Sequence, residues 1–218
     1  MPNRKLPDST QARMEILGKL RNTSTGRIVR LPEPPAGSFV IPSAESQIGQ
    51  FSQNLSKIGG SCEVFPNLQK LVETLSQYIL AHDWKCVYCP DAELYKLLQN
   101  FEIADKLSAS FTYDIDASVT RCESLAADTG TIIVSSALNK TRQVYPYSPI
   151  HIVVATISQL KPTIDEAMAQ LTATYRDQIP STISAITGPS RTADIEKTLI
   201  LGAHGPKTLK VFLSISEF

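Results

Sequence analysis

No stretch of this 218-residue chain approaches the run of about 18 apolar residues that a membrane-spanning helix requires, so no span is expected. The opening MPNRKLPDSTQARMEIL lacks the continuous apolar core of a secretory leader, which makes the cytoplasm the expected location. Cysteine is scarce: Cys62, Cys86, Cys89 and Cys122 are the full set. Cys86 and Cys89 have the spacing of a metal or redox pair, but no second pair follows to complete a zinc or iron–sulfur set. The surrounding WKCVYCP also reads as a buried strand, where residues three apart point to opposite faces, and the pair is read as core cysteine. The three histidines, His82, His151 and His204, form neither HxH nor HExxH, a weak basis for metal binding. GxGxxG and GxxxxGK[ST] are both absent, and no internal repeat or low-complexity segment is present. Nothing resembles a nucleic-acid module with interleaved aromatics.

What is present is an ordinary globular composition, 42% apolar and 19% charged, with 21 basic and 21 acidic residues. The charges cancel overall but not locally. Residues 1–30 hold seven Lys/Arg against Asp8 and Glu15, whereas 83–128 hold nine acids against four bases. A basic tail either docks an acidic partner or is a solvated arm. Ser9 and Thr10 can cap a helix to Arg21, whose Ile16, Leu17 and Leu20 leave a narrow apolar stripe. NTSTGRIVRLPEPPAG then carries turn signals with little periodicity, so residues 1–38 read as a helix-and-linker arm and 39–218 as the folded domain.

Within that domain, Ile48, Phe51, Leu55 and Ile58 fall on one helical face that Gly59 and Gly60 terminate. A strand at CEVF, a helix from Asn67 to about His82, a strand at WKCVYC and a helix from Asp91 to about Asn100 follow. Strands alternating with amphipathic helices imply an α/β fold with a parallel sheet covered on both faces. The second half is richer in strands: TGTIIVSS, HIVVAT, STISAIT and LKVFLSI, with a helix from Thr163 to about Tyr175.

Special residues crowd into AITGPSRTADIEKTLILGAHGP, from Ala185 to Pro206. Gly188-Pro189-Ser190 reads as a tight turn after a strand. Ser190 or Thr192 would cap a following helix whose first turn holds Asp194 and Glu196, with Ile195 and Leu199 facing the sheet. Such a helix would present free N–H groups at a strand's carboxyl end, and Arg191 adds a planar fork suited to carboxylate or phosphate. The alternatives are a bound anion, or a well-capped turn with Arg191 paired to Asp194 or another acid. His204, between glycines, is either hydrogen-bonded structure or a catalytic group. A second constellation, Ala127-Asp128-Thr129-Gly130-Thr131, leads into a strand. Its carboxylate serves as base, nucleophile or hydroxyl binder, or stabilises a turn.

Taken in order, ADTGT, Arg142, HI after a proline, ITGPSRTADIE and LGAHGP before a terminal strand resemble the LUD-domain family, and within it the lactate utilization protein C branch. The resemblance covers about residues 40–218, and it implies a Rossmann-like, mostly parallel sheet flanked by helices, with a small added β section. That fold is similar to the sugar-phosphate isomerase and CoA-transferase folds. The resemblance further implies a subunit taking part in bacterial oxidation of L-lactate to pyruvate beside iron–sulfur partner proteins. No cofactor is then expected on this chain, the clusters residing in the partners; a homo-oligomer is compatible with the arm. Carried over residue by residue, Asp128 and His204 stand as catalytic candidates. Thr129, Gly130, Arg142, Gly188, Ser190, Arg191, Thr192 and Asp194 stand as binders of a small anionic ligand. The family acid at position 128 is usually Glu. Asp128 is shorter by about 1.5 Å, which argues against a nucleophile and leaves ligand or loop anchoring. The competing readings are an independent enzyme acting on a phosphorylated or CoA-linked metabolite, and a scaffold without a ligand.

Overall fold

The computed structural model describes residues 9–23, 43–139, 141–176, 178–193, 199–201 and 205–217. The chain divides into two units, Met1–Val40 and Ile41–Phe218. In the first, the described element is helix α1 (Ser9–Thr23), along which Met14, Ile16, Leu17 and Leu20 are exposed.

The second unit opens with α2 (Ala44–Lys57), β1 (Ser61–Phe65), α3 (Leu68–Leu80), β2 (Val87–Tyr88) and α4 (Ala92–Gln99). It continues with β3 (Leu107–Ser108), β4 (Ala117–Arg121), β5 (Ser124–Ala126), β6 (Thr131–Ser135) and the single turn α5 (Val144–Tyr147). Next come β7 (Ile150–Thr156), β8 (Leu160–Lys161), α6 (Ile164–Tyr175) and β9 (Ile183–Ile186). The last elements are β10 (Arg191–Ala193), β11 (Leu199–Leu201) and β12 (Thr208–Ser214). The longer helices start where the sequence supplies a cap. Asn67 accepts from the Lys70 amide at 2.8 Å, Asp91 from Leu94 at 2.9 Å and Thr163 from Glu166 at 3.2 Å. Each bond satisfies one orphan amide of a first turn, a contribution of roughly 1 kcal/mol.

Six strands form a wholly parallel sheet in the order β1-β12-β7-β4-β2-β3. Its centre is the pairing of β7 with β12, in register from Ile150↔Thr208 to Thr156↔Ser214. Leu71, Leu75 and Ile79 of α3 and Leu94 and Leu98 of α4 pack on one face, against Val119, Ile152, Val154 and Phe212. The other face carries Val153, Ala155, Val211 and Leu213, which meet Phe51 and Leu55 of α2 and Leu125, Ile132 and Val134 of a second sheet. That sheet, β8-β5-β6-β9, has antiparallel β5–β6 and β6–β9 pairs. Helix α6 covers its far side with Ala167 and Leu171 against Ala126 and Ile133. Phe51 and Leu55 are fully buried, and each such side chain contributes about 1.5–3 kcal/mol.

The α/β reading, with a parallel sheet flanked by helices and a smaller β section, therefore describes the molecule. The segment after Ser190 corrects the expectation. Instead of a helix, β10 and β11 pair antiparallel, Arg191↔Leu201 to Ala193↔Leu199. The capping signals at Ser190 and Thr192 are local, whereas a β-branched Thr192 and the run Leu199-Ile200-Leu201 gain from extended pairing with each other. The strand expected across WKCVYC is also shorter, confined to Val87–Tyr88.

Candidate functional site

Two loops meet on the last turn of α2. The Asn54 side-chain amide donates to the carbonyls of Ala127 (2.9 Å) and Asp128 (2.8 Å), clamping the β5–β6 turn onto the helix. Gly130 follows with φ +66°, and a Cβ there would lie 2.5 Å from the Leu55 nitrogen. One helical turn later, the Arg191 guanidinium donates to the Ile58 carbonyl at 2.8 Å. A Cβ on Gly188 (φ +90°) would stand 2.9 Å from the same oxygen. The two loops also bond directly, Thr131 Oγ1 to Thr187 Oγ1 at 2.8 Å. A third loop joins them: the Ser190 amide donates to the Pro206 carbonyl at 2.8 Å, and Gly205 lies against Ser190.

Beside this junction is an open groove of about 310 Å³. Its lining includes Tyr145 and Pro146, Thr187, Gly188 and Ser190, and Gly205 and Pro206. Its volume is at the small end of metabolite pockets, about 300–1,000 Å³. Tyr145–Pro146 and Gly205–Pro206 precede β7 and β12, so the groove opens at the amino ends of these parallel strands. The loop at 188 still follows the carboxyl end of β9, but in place of helix amides it offers glycine backbone and hydroxyls.

The sequence-derived candidates separate into groups. Gly188 and Ser190 line the groove. Arg191 adjoins it, exposed, with its cation at the negative end of α2. Gly130 and Thr129 belong to the neighbouring turn. The Asp128 carboxylate, half-buried, faces the start of α6, accepting from the Ile164 amide at 3.3 Å and from the Thr129 hydroxyl at 3.2 Å. Arg142 is elsewhere. Three residues before Tyr145, it donates to Ser181 Oγ at 2.6 Å, just ahead of β9, and it is not among the residues that line the groove. His204 and Asp194 lie outside the described residues, as does the side chain of Thr192, whose backbone belongs to β10.

His151 begins the buried centre of β7 and is fully enclosed. Its Nε2 shares a 2.7 Å hydrogen bond with Thr120 Oγ1, and its ring centroid lies 5.8 Å from that of Tyr145. Burial penalises the imidazolium and lowers the pKa to about 4, so the ring is neutral near pH 7. Burial likewise pushes the Cys62 thiol up to about 11 and Cys89 to about 12, and raises that of Cys122. These thiols stay protonated and make poor nucleophiles. Asn54, Tyr145, Pro146 and Thr187 were not among the candidate site residues of the sequence reading. Thr187 lay within the ITGPSR motif and Tyr145-Pro146 in a proline-punctuated loop before a strand, whereas the role of Asn54 arises from a contact 73 residues away.

The LUD domain sequence pattern matches residues 48–214. The chain belongs to the LUD domain family. Lactate utilization protein C of Macrococcus caseolyticus is 33% identical over 110 residues, covering 50% of this chain and 44% of that protein. The Geobacillus thermodenitrificans protein of the same name is 24% identical over 174 residues, covering 77% and 68%. That of Bacillus subtilis is 26% identical over 160 residues, covering 71% and 62%. The matches to these three relatives thus span between 44% and 68% of their lengths. A crystal structure of a DUF162 family protein from Deinococcus radiodurans superposes with a TM-score of 0.61 at 18% identity. It covers 79% of this chain and 99% of its own, a likeness that establishes the fold alone.

Proposed function

We propose that this LUD-domain chain serves as a subunit in the oxidation of L-lactate to pyruvate, with the groove beside Ser190 holding a small anionic ligand. The oxidation removes two electrons and two protons from the substrate, and on this reading iron–sulfur partner proteins accept the electrons. The observation that carries the proposal is that two separated signature loops, at 187–190 and 205–206, line one groove, with the third, at 127–131, bonded to the first through Thr131 and Thr187. A protein that needed only a stable core would not have to bring its glycine-rich loops to a shared hollow. Arg191, one residue beyond the groove wall, is placed to meet a carboxylate if it leaves the Ile58 carbonyl, an exchange of one hydrogen bond for a charge-assisted one. The names of the relatives supply the choice of lactate.

The test is genetic and biochemical. A strain lacking this protein is expected to lose growth on L-lactate, and the full chain is expected to co-purify with an iron–sulfur protein from lactate-grown cells. Unimpaired lactate oxidation in the deletion strain would end the proposal. Turnover of an acyl-CoA or sugar phosphate by the isolated chain would establish the independent enzyme instead.

A further inference from the structure

Away from the site loops, an open groove runs between α3 and α4. From α3 it is lined by the i, i+4 row Leu68, Val72, Ser76 and Leu80, which runs the whole length of the helix, about 18 Å. Leu97 of α4 and Phe101 just beyond it line it from the other helix. Its two parts, of about 320 and 350 Å³, adjoin at Asn100 and Phe101. The Ser76 hydroxyl donates to the Val72 carbonyl at 2.8 Å, which satisfies it within its own helix and keeps the row apolar in effect. Leu80 is 42% exposed, a large apolar side chain left in water. Glu73, paired with Lys70 at 3.5 Å, and Glu102 place carboxylates in the lining.

The sequence supplies a helix of matching character. Arg13, Ile16, Leu17 and Leu20 share one face of α1 by their three- and four-residue spacing, and Ile16 and Leu17 are 59% and 44% exposed. At 15 residues α1 is about 22 Å long, enough to cover the row on α3. An apolar stripe accompanied by arginines suits an apolar groove that carries carboxylates, the pairing of a helix laid in a groove. In the single chain the stripe is exposed and the groove is open, so a second chain is the means of covering both. The folded unit starts at α2, which packs on the face of the sheet opposite α3 and α4, so self-docking would wrap the connecting segment around a sheet edge. We propose that α1 of one copy docks along the α3–α4 groove of a second copy, with Ile16, Leu17 and Leu20 against Val72, Leu80 and Phe101 and the arginines meeting the acids. Each copy carries one arm and one groove, so mutual exchange closes a twofold pair and leaves neither surface in water. This pairing stands apart from the groove beside Ser190 and from the lactate reading.

Sedimentation and cysteine bridging of the full chain test it. Wild type is expected to be a dimer whose melting temperature rises with protein concentration. Leu17→Asp and Leu80→Lys should each raise the concentration at which the dimer half-dissociates at least tenfold. Both side chains are exposed in the single chain, so near-UV circular dichroism should stay unchanged in these variants. Mixing differently tagged Leu17→Cys and Leu80→Cys chains should give a bismaleimide-bridged heterodimer in far higher yield than wild type, which carries the native cysteines alone. A wild type that stays monomeric up to millimolar concentration would overturn the proposal. So would a dimer that both substitutions leave intact, since another surface would then hold it. Bridging within one chain of a Leu17→Cys/Leu80→Cys double variant, with none between the mixed single variants, would assign the groove to the chain's own arm and equally overturn the exchange.

Discussion

At Gly130 only a hydrogen atom fits between the β5–β6 turn and α2. The residue adopts φ +66°, and any side chain would press on the Asn54–Leu55 backbone. Gly130→Ala combines left-handed backbone with that overlap, so we expect a loss of about 2–4 kcal/mol in urea unfolding. A loss below about 1 kcal/mol would show that the turn relaxes away from the helix. Arg191 differs, because its tie to the Ile58 carbonyl is exposed to solvent. Arg191→Met should cost about 1 kcal/mol of stability. If the groove holds an anion, the same variant should weaken L-lactate binding by tenfold or more in calorimetry, a loss much larger than its effect on folding suggests.

Among the elements, α2 has the widest role. Its apolar face fills the space between the two sheets through Phe51 and Leu55, while its last turn holds both site loops through Asn54 and Ile58. Asn54→Ala removes two hydrogen bonds to loop carbonyls, with an expected cost of about 2 kcal/mol and faster amide exchange at Gly130. Because Thr131 and Thr187 link the same two loops, Asn54→Ala and Thr187→Val should be non-additive by about 0.5 kcal/mol or more in a double-mutant cycle. Helix positions were legible in the sequence because each carried its own cap and apolar face: Asn67 for α3, Asp91 for α4, Thr163 for α6. Strand β4 was not. ASVTR is small and partly polar, and only its place between β2 and β7 makes Ala117, Ser118 and Val119 fully buried.

For the molecule as a whole, His151 couples folding to pH. Its pKa falls from 6.5 in an open chain to about 4 in the fold, through burial. Between those values the unfolded chain binds the extra proton, so stability rises with pH and is lost as pH drops from about 6.5 toward 4. The full difference is about 3 kcal/mol at 1.36 kcal/mol per pKa unit. Carboxylates titrate in the same range, so the measurement is a comparison. The stability difference between pH 7 and pH 4.5 should be smaller in His151→Gln than in wild type, and equal differences would show that the ring is not protonated on unfolding. The sealed imidazole follows from assembly of the whole sheet, since β4, β7 and β12 all surround it.

The sequence by itself determined the α/β class, the main helices and the stretches around 128 and 188 where special chemistry is concentrated, because caps, glycines and apolar periodicity act over a few residues. It also carried the ordered signature by which the LUD family is identified. Only the tertiary structure decided that Asp128 faces α6, that Arg142 sits at the far end of β9, and that the segment after Ser190 pairs as strands. It also decided that His151 and Tyr145 stand together behind a groove. Those outcomes depend on contacts between residues far apart in the chain, whose pairing energies no local pattern records.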